Sequence, residues 1–99
     1  MKQSINNFTQ FHRAFIDAGR GDQYPVAVLE VIYNAFEQYE DDTGEEIELD
    51  VIAICCDIDY GTMDEIRADY GIDGDMLDYL HENTWVLGIV DDVVVYEIF

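Results

Sequence analysis

Acidic residues concentrated in the second half of the chain are the strongest constraint on how it can fold. Residues 37–82 hold seventeen acidic residues and a single basic residue, Arg67, so they contribute −16 of the formal net charge of −19. Charge of one sign at this density repels itself in a compact state. Because 49% of the residues are hydrophobic, the composition is still that of a folded chain and not of a disordered tail. The sequence therefore predicts an ordered domain with a strongly anionic surface.

Length and charge limit the possible partners. A chain of 99 residues predicts one domain, residues 1–99, with one small core. An isoelectric point near 4.1 argues against direct binding to nucleic acid or to an anionic membrane. It favours a partner with a basic surface, or cations.

The sequence predicts a cytoplasmic protein in a reducing compartment. It lacks an apolar run of the roughly 18–20 residues that a membrane-spanning helix needs. The residues near its N-terminus also lack the apolar run of a secretory signal, so we expect no such signal. Cys55 and Cys56 are adjacent and are the only two cysteines. A bridge between neighbouring cysteines is strained, so we expect no disulfide framework.

The first part of the chain has the pattern of two helices. Asn7 is a suitable N-cap, and Phe8, Phe11 and Phe15 recur on one helical face. Pro25 suits the first turn of a second helix, which ends in a cluster of acids. The helix dipole favours cations at that end, so each acid there costs about 0.3–1 kcal/mol. We interpret this placement as selection for the charge itself.

Residues 46–56 have the pattern of a strand. They alternate charged and apolar residues and then run apolar to their end, which is typical of a strand that enters a core. We expect it to be the central strand of a sheet. Thr62 and Glu65 then form a capping-box pattern that begins a short helix, and a second short helix is predicted from Asp75 to about residue 81.

Two strands end the chain. Residues 84–90 and 93–99 are rich in β-branched and aromatic residues. Asp91 and Asp92 between them have the length of a hairpin turn, without the glycine that such turns favour. The predicted order is ααβααββ, an α+β fold with a small antiparallel three-stranded sheet and helices packed on one face.

The acidic surface is the candidate functional site. B-DNA carries one negative charge per about 1.7 Å of its axis, so a protein that displays carboxylates densely can occupy a basic groove made for phosphates. A solvated acidic surface with some acids used as helix caps is the alternative interpretation. The predicted partner-binding residues are Glu40, Asp41, Asp42, Glu45, Glu46, Asp57, Asp59, Asp64, Asp69, Asp73, Asp75 and Asp78.

Metal binding and catalysis have weaker signals. An EF-hand loop that began at Asp57 would place Thr62 and Ala68 where calcium binding requires glycine and glutamate. His12 and His81 are the only histidines, and the sequence has no phosphate-binding loop, nucleophile elbow or paired zinc-ligand spacing. We therefore predict no catalytic residue, no metal site and no cofactor, and hence no enzyme.

Three segments carry a resemblance to known proteins: NFTQFHRAF (residues 7–15), FEQYEDDTG (36–44) and IELDVIAICC (47–56). They resemble a family of small acidic proteins from phages and other mobile elements, and the resemblance extends over most of the chain. Acidic phage proteins of this size are similar in kind to anti-CRISPR and antirestriction proteins that imitate DNA. The resemblance implies DNA mimicry and no catalytic motif.

These observations together favour an inhibitor that acts by DNA mimicry. We expect an anti-CRISPR protein whose acidic face blocks the binding of target DNA or its PAM by a Cas surveillance complex in the host cell. An antirestriction mimic that binds a restriction–modification enzyme is an open alternative. So is an acidic regulatory adaptor or cation-binding module. A homodimer is compatible with each of these interpretations.

Overall fold

The computed structural model describes residue 5 and residues 7–99. In this part of the chain five helices and three strands follow one another in the order αααβααββ. Their bounds are α1 Phe8–Asp17, α2 Val26–Thr43, α3 Val51–Asp57, β1 Ile58–Thr62, α4 Met63–Tyr70, α5 Met76–Asn83, β2 Val86–Val90 and β3 Val93–Glu97.

The three strands form one antiparallel sheet with β3 in the centre, in the order β1-β3-β2. Tyr60 of β1 and Gly88 of β2 both lie opposite Val95 of β3. The register of β2 is interrupted at Leu87, where an extra residue makes a bulge. The predicted α+β class and the three-stranded antiparallel sheet are thus confirmed.

Helices cover both faces of this sheet. Val95 of β3 is buried in the cluster formed by α1, α2 and α3, whereas its neighbours Val94 and Tyr96 pack with Ile66 of α4 and Leu80 of α5. Successive side chains of a strand point to opposite faces, so a continuous apolar run needs cover on both of them. The expectation that helices pack on one face is wrong, and the apolar run of β3 is the reason.

The predicted central strand at residues 46–56 is also wrong. Asp50 caps a helix there, because its Oδ1 accepts a hydrogen bond from Ala53 N at 3.0 Å, and α3 follows. The first strand begins only at Ile58, after the end of the predicted strand, and it lies at an edge of the sheet.

Amphipathic spacing explains why this segment is helical. Val51, Ile54 and Cys55 of α3 pack in the core cluster, whereas Ile52 is 49% exposed. The three packed positions are i, i+3 and i+4, which share one face of a helix. The N-cap and this packing override the β-branched residues that favoured a strand.

The predicted N-terminal caps of α1 and α4 are confirmed. Asn7 Oδ1 accepts a hydrogen bond from Gln10 N at 2.9 Å and caps α1. The capping box of α4 forms, since Thr62 Oγ1 accepts from Glu65 N at 3.2 Å and Glu65 Oε1 accepts from Thr62 N at 3.1 Å. The hairpin turn without glycine places Asp91 at φ 53°, a left-handed conformation in which aspartate is enriched several-fold.

Candidate functional site

The predicted partner-binding acids lie on three segments of the fold, and all except the half-buried Glu40 are exposed. The first segment is the end of α2 and the loop after it, the second is the junction of α3 and β1, and the third comprises α4, α5 and the turn between them. In that order the segments hold Glu40, Asp41, Asp42, Glu45 and Glu46, then Asp57 and Asp59, then Asp64, Asp69, Asp73, Asp75 and Asp78.

At the end of α2, one acid has a structural role. Glu40 Oε2 accepts a hydrogen bond from Ile47 N at 2.7 Å, which ties the loop after α2 back onto the helix. Asp42 Oδ1 accepts from Gln38 Nε2 at 3.0 Å, a contact on the helix surface that leaves the carboxylate exposed. Asp41 is also exposed. Glu40 is therefore the member of this group least able to meet a partner.

The second and third segments meet around the hydroxyl of Tyr96. Asp59 of β1 is directly opposite Tyr96 in the sheet, and Tyr96 OH lies 3.5 Å from Tyr70 OH. Burial raises the pKa of Tyr96, and the hydrogen bond with Tyr70 and the negative charges of Asp59 and Asp69 raise it further. The fold thus brings Asp59 and Asp69 to the same side of the sheet, although β1 and α4 are separate elements.

Two acids of the third segment are explained by local helix chemistry. Asp75 Oδ1 caps α5, since it accepts from Leu77 N at 3.0 Å and from Asp78 N at 3.2 Å. Asp64 lies in the first turn of α4, where a negative charge is favourable to the helix dipole. These residues fit the alternative interpretation of acids as helix caps.

Few cations offset this charge within the part of the chain that the structure describes. The salt bridge there joins Arg13 Nε to Asp17 Oδ1 at 3.6 Å, outside the predicted site. Arg67 lies among the acids, but its guanidinium donates to the carbonyl of Gly74 at 3.0 Å. The exposed carboxylates of the predicted site therefore face solvent and form no salt bridge with another residue of the described ranges.

The structure adds three acids that the sequence-based prediction did not select. Glu48, Asp50 and Glu97 line a groove of about 200 Å³ together with Asp57, beside the ring of Trp85. These acids come from the loop before α3, the cap of α3 and the end of β3. Sequence spacing gave no signal for this juxtaposition, because it depends on the pairing of β3 with β1.

A second groove, the edge groove, lies between α2 and β2. It has a volume of about 400 Å³ and is lined by Val31, Asn34, Gln38 and Asp42 of α2 and by residues 85 and 87–89. Trp85, the only tryptophan, closes one end and stacks on Phe36, with ring centroids 5.7 Å apart and planes 13° apart. Gly88 in the middle of a strand was a usable sequence signal, since glycine there marks a close backbone approach.

Cys55 and His12 are packed against apolar neighbours. Burial raises the pKa of the Cys55 thiol, which lowers the thiolate fraction that reacts as a nucleophile. His12 stacks on Phe8, with ring centroids 5.9 Å apart. Among residue 5 and residues 7–99, no cluster of three His, Cys, Asp or Glu side chains is arranged to hold a metal ion.

Comparison of the chain with protein-family models, with curated proteins and with solved structures gives no match. The resemblance to small acidic phage proteins therefore stays a prediction. Within the described residues, no helix combines the length and the apolar character needed to cross a membrane.

Proposed function

We propose that this protein is a DNA-mimicking inhibitor of a host defence complex. The proposed target within that class is a Cas surveillance complex, so that the chain acts as an anti-CRISPR protein in the host cytoplasm. The observation that carries the proposal is the set of exposed carboxylates on an ordered fold, which form no salt bridge with a cation of the described residues. A folded domain that needed charge only for solubility would do well with a net charge of magnitude about 2–8.

The amount of charge and the size of the molecule are on the scale of a short duplex. The fold extends 43 Å along its longest axis, slightly more than one turn of B-DNA at about 34–36 Å. Duplex DNA of that length carries about 25 phosphate charges, at one per about 1.7 Å. The formal net charge of the chain is −19, so over this length it carries about three quarters of the charge of the duplex.

The mechanism is competitive occlusion of a DNA-binding groove. Lysines and arginines that position a duplex through its phosphates would instead pair with carboxylates of the acidic face. Complementary charge also speeds the encounter with a basic partner. The complex should weaken as salt screens these contacts, with a screening length of about 10 Å at 0.1 M and shorter at higher salt.

The test is capture of partners from host lysate, with the purified protein as bait, at about 100 mM and about 500 mM salt, a range across which surface charges become screened. Recovery of a Cas effector at low salt, and its release by short duplex DNA, is the expected result. Recovery of a restriction subunit under the same conditions would favour the antirestriction alternative. A partner that DNA does not displace would overturn mimicry and favour an adaptor.

Two triple variants separate a shaped surface from bulk charge. Asp69→Asn, Asp73→Asn and Asp78→Asn together remove three exposed acids of the third segment and keep both helix caps. Asp17→Asn, Asp22→Asn and Glu30→Gln make the same change of charge at exposed positions outside the predicted site. The first variant should lose the target and the second should retain it. Equal loss in both would mean that the partner responds to total charge alone.

A further inference from the structure

The two edge strands of the sheet differ in how their outward-facing backbone groups are satisfied. On β1, side chains form hydrogen bonds with these groups. The Ile58 carbonyl accepts a hydrogen bond from Tyr24 OH at 2.6 Å, and Tyr60 N donates to the carboxylate of the residue before it at 2.7 Å. Thr62 N donates to Glu65 Oε1 at 3.1 Å. Alternate residues of an edge strand direct their backbone groups away from the sheet, so these three bonds occupy the outer edge of β1.

At the other edge strand, β2, the described residues provide no such side-chain hydrogen bonds. β2 pairs with β3 alone, and no side chain of the described residues bonds to the backbone of Val86–Val90. The strand holds no charged residue, and Ile89 is 45% exposed. Natural edge strands are usually protected by charges, proline, bulges or a covering element. Here the bulge at Leu87 is the one such device on the strand itself.

The edge groove runs beside this open strand, with Asp42 in its lining and the acidic turn beyond the end of the strand. Gly88 lies against Val31 of α2. Trp85 lies near Tyr39, with ring centroids 6.1 Å apart, so α2 and β2 run in opposite directions and Asp42 is at the Trp85 end. Beyond the other end of β2, the turn begins with Asp91. No lysine or arginine lines the groove.

We propose that β2 and the edge groove bind an extended, basic segment of a partner protein as an added strand. Main-chain hydrogen bonds to the open edge of β2 would hold it, and alternate side chains would enter the groove, as in other strand-addition complexes. Five strand residues span about 17 Å, so the segment has apolar residues in its middle and a lysine or arginine near each end. Those cations meet Asp42 at one end and the acids of the turn at the other.

Charge argues against a second copy of this chain as the occupant. Two β2 strands paired in opposite directions would bring the acidic turn of each copy to the Asp42 end of the other. The inference is also separate from DNA mimicry, because main-chain pairing at an edge strand needs no phosphate-binding groove. The test below uses the protein with a synthetic peptide and no defence complex, so it can fail while the proposed function holds.

The probe is the peptide acetyl-Lys-Val-Thr-Val-Thr-Val-Lys-amide, titrated to about 2 mM at about 100 mM salt, where surface charge is still effective. The control peptide has proline in place of the central valine and of one threonine. These substitutions keep the charge of the peptide but remove backbone N–H groups that strand pairing needs. Binding is followed by Trp85 fluorescence and by the amide NMR signals and hydrogen exchange of residues 86–90.

We expect saturable binding of the first peptide, at least tenfold weaker binding of the proline control, and slower exchange at outward-facing amides of β2. At ten times Kd the protection should be about tenfold. Asp42→Asn should weaken binding by about two- to fivefold, the range for an exposed ion pair. Asp22→Asn, which removes an exposed acid outside the groove and outside the predicted partner-binding residues, should leave the affinity unchanged.

Four results would overturn the inference. Equal binding of both peptides would mean that charge alone attracts them. Failure of the first peptide to bind up to 2 mM, or protection confined to residues outside β2, would mean that the edge is not a docking site. A dimer at about 500 mM salt, where repulsion is screened, with protected β2 amides and no peptide present, would assign the edge to a second copy.

Discussion

A methyl group on Gly88 would lie 2.8 Å from Cγ1 of Val31. That distance is too short for two carbon atoms, so the absence of a side chain at position 88 is what lets α2 lie directly on β2. Val31 is β-branched and on a helix, where its χ1 angle has one strongly preferred value. It therefore cannot turn away to make room.

Gly88→Ala should lower the free energy of unfolding by about 1–3 kcal/mol, the usual cost of inserting a carbon into a packed interface. Urea unfolding of the wild type and the variant measures the difference. The control is the double variant Val31→Ala with Gly88→Ala. This variant keeps the new methyl group at position 88 but lacks the Val31 methyl groups that it would meet. The double variant should lose less stability than the two single variants together, because residues in contact couple. Simple addition of the two single effects would contradict the close contact.

Neighbouring acids at the end of α2 should have opposite effects on stability. Glu40→Ala removes the acceptor of Ile47 N and should cost about 1.5–3 kcal/mol, as for a hydrogen bond to a charged group. Asp41→Asn removes an exposed charge that opposes the helix dipole and should add about 0.3–1 kcal/mol. Thermal unfolding at low salt measures both.

Glu40→Gln is the control for this pair of variants, since it keeps an acceptor oxygen and should lose less than Glu40→Ala. A gain of stability in Glu40→Ala would mean that its charge matters more than its hydrogen bond. In that case Glu40 would rejoin Asp41 as an acid held for its charge.

Local patterns in the sequence predicted most of the helices. They did not predict that helices pack on both faces of the sheet. The caps at Asn7 and Thr62 are visible because each needs residues only three positions apart. The pairing of β1 with β3 joins residues more than thirty positions apart, and no local pattern predicts it. The run of apolar residues at 51–56 fits a buried strand or a helix, so only tertiary packing decides between them.

The sequence predicted which acids are exposed in the candidate site. It did not predict how the fold groups them on the surface. Exposure of the selected acids follows from their charge, because an unpaired buried carboxylate is costly. Their grouping depends on the fold: Asp59 reaches Tyr96 through the sheet, and Asp57 joins Glu97 at a groove. The edge groove was missed because its walls come from α2 and β2, which are distant in sequence.

The helical state of residues 51–57 can be tested by two substitutions two positions apart. In a helix Ile54 is buried and Ile52 is exposed, whereas in a strand both would point to the same face. Ile54→Ala should cost about 2–5 kcal/mol, and Ile52→Ala should change stability by about 0.5 kcal/mol or less. Urea unfolding of both variants measures this, and similar large losses in the two would favour the strand.

Alkaline pH should destabilise the fold through its buried tyrosines. The single hydroxyl proton of Tyr24 is shared between the carbonyl oxygens of Ile54 and Ile58, which lie 2.9 Å and 2.6 Å from the hydroxyl oxygen. Burial, and then nearby negative charge, raises the pKa of Tyr24 above its ordinary value of about 10, and burial likewise raises that of Tyr96. A raised pKa means that the folded state keeps a proton which the unfolded chain releases.

The stability from these protons is therefore complete below pH 10 and is lost as pH rises above it. The expected slope is about 1.4 kcal/mol per pH unit for each tyrosine that stays protonated only in the fold. Tyr24→Phe should lower the free energy of unfolding by about 1–3 kcal/mol at pH 7, because two carbonyls lose a donor. Above pH 10 its free energy of unfolding should fall less steeply with pH than that of the wild type. Urea unfolding between pH 8 and pH 11 measures both effects, at about 0.5 M salt to screen the exposed acids. An unchanged slope in Tyr24→Phe would mean that Tyr24 ionises as readily in the folded protein as in the unfolded chain.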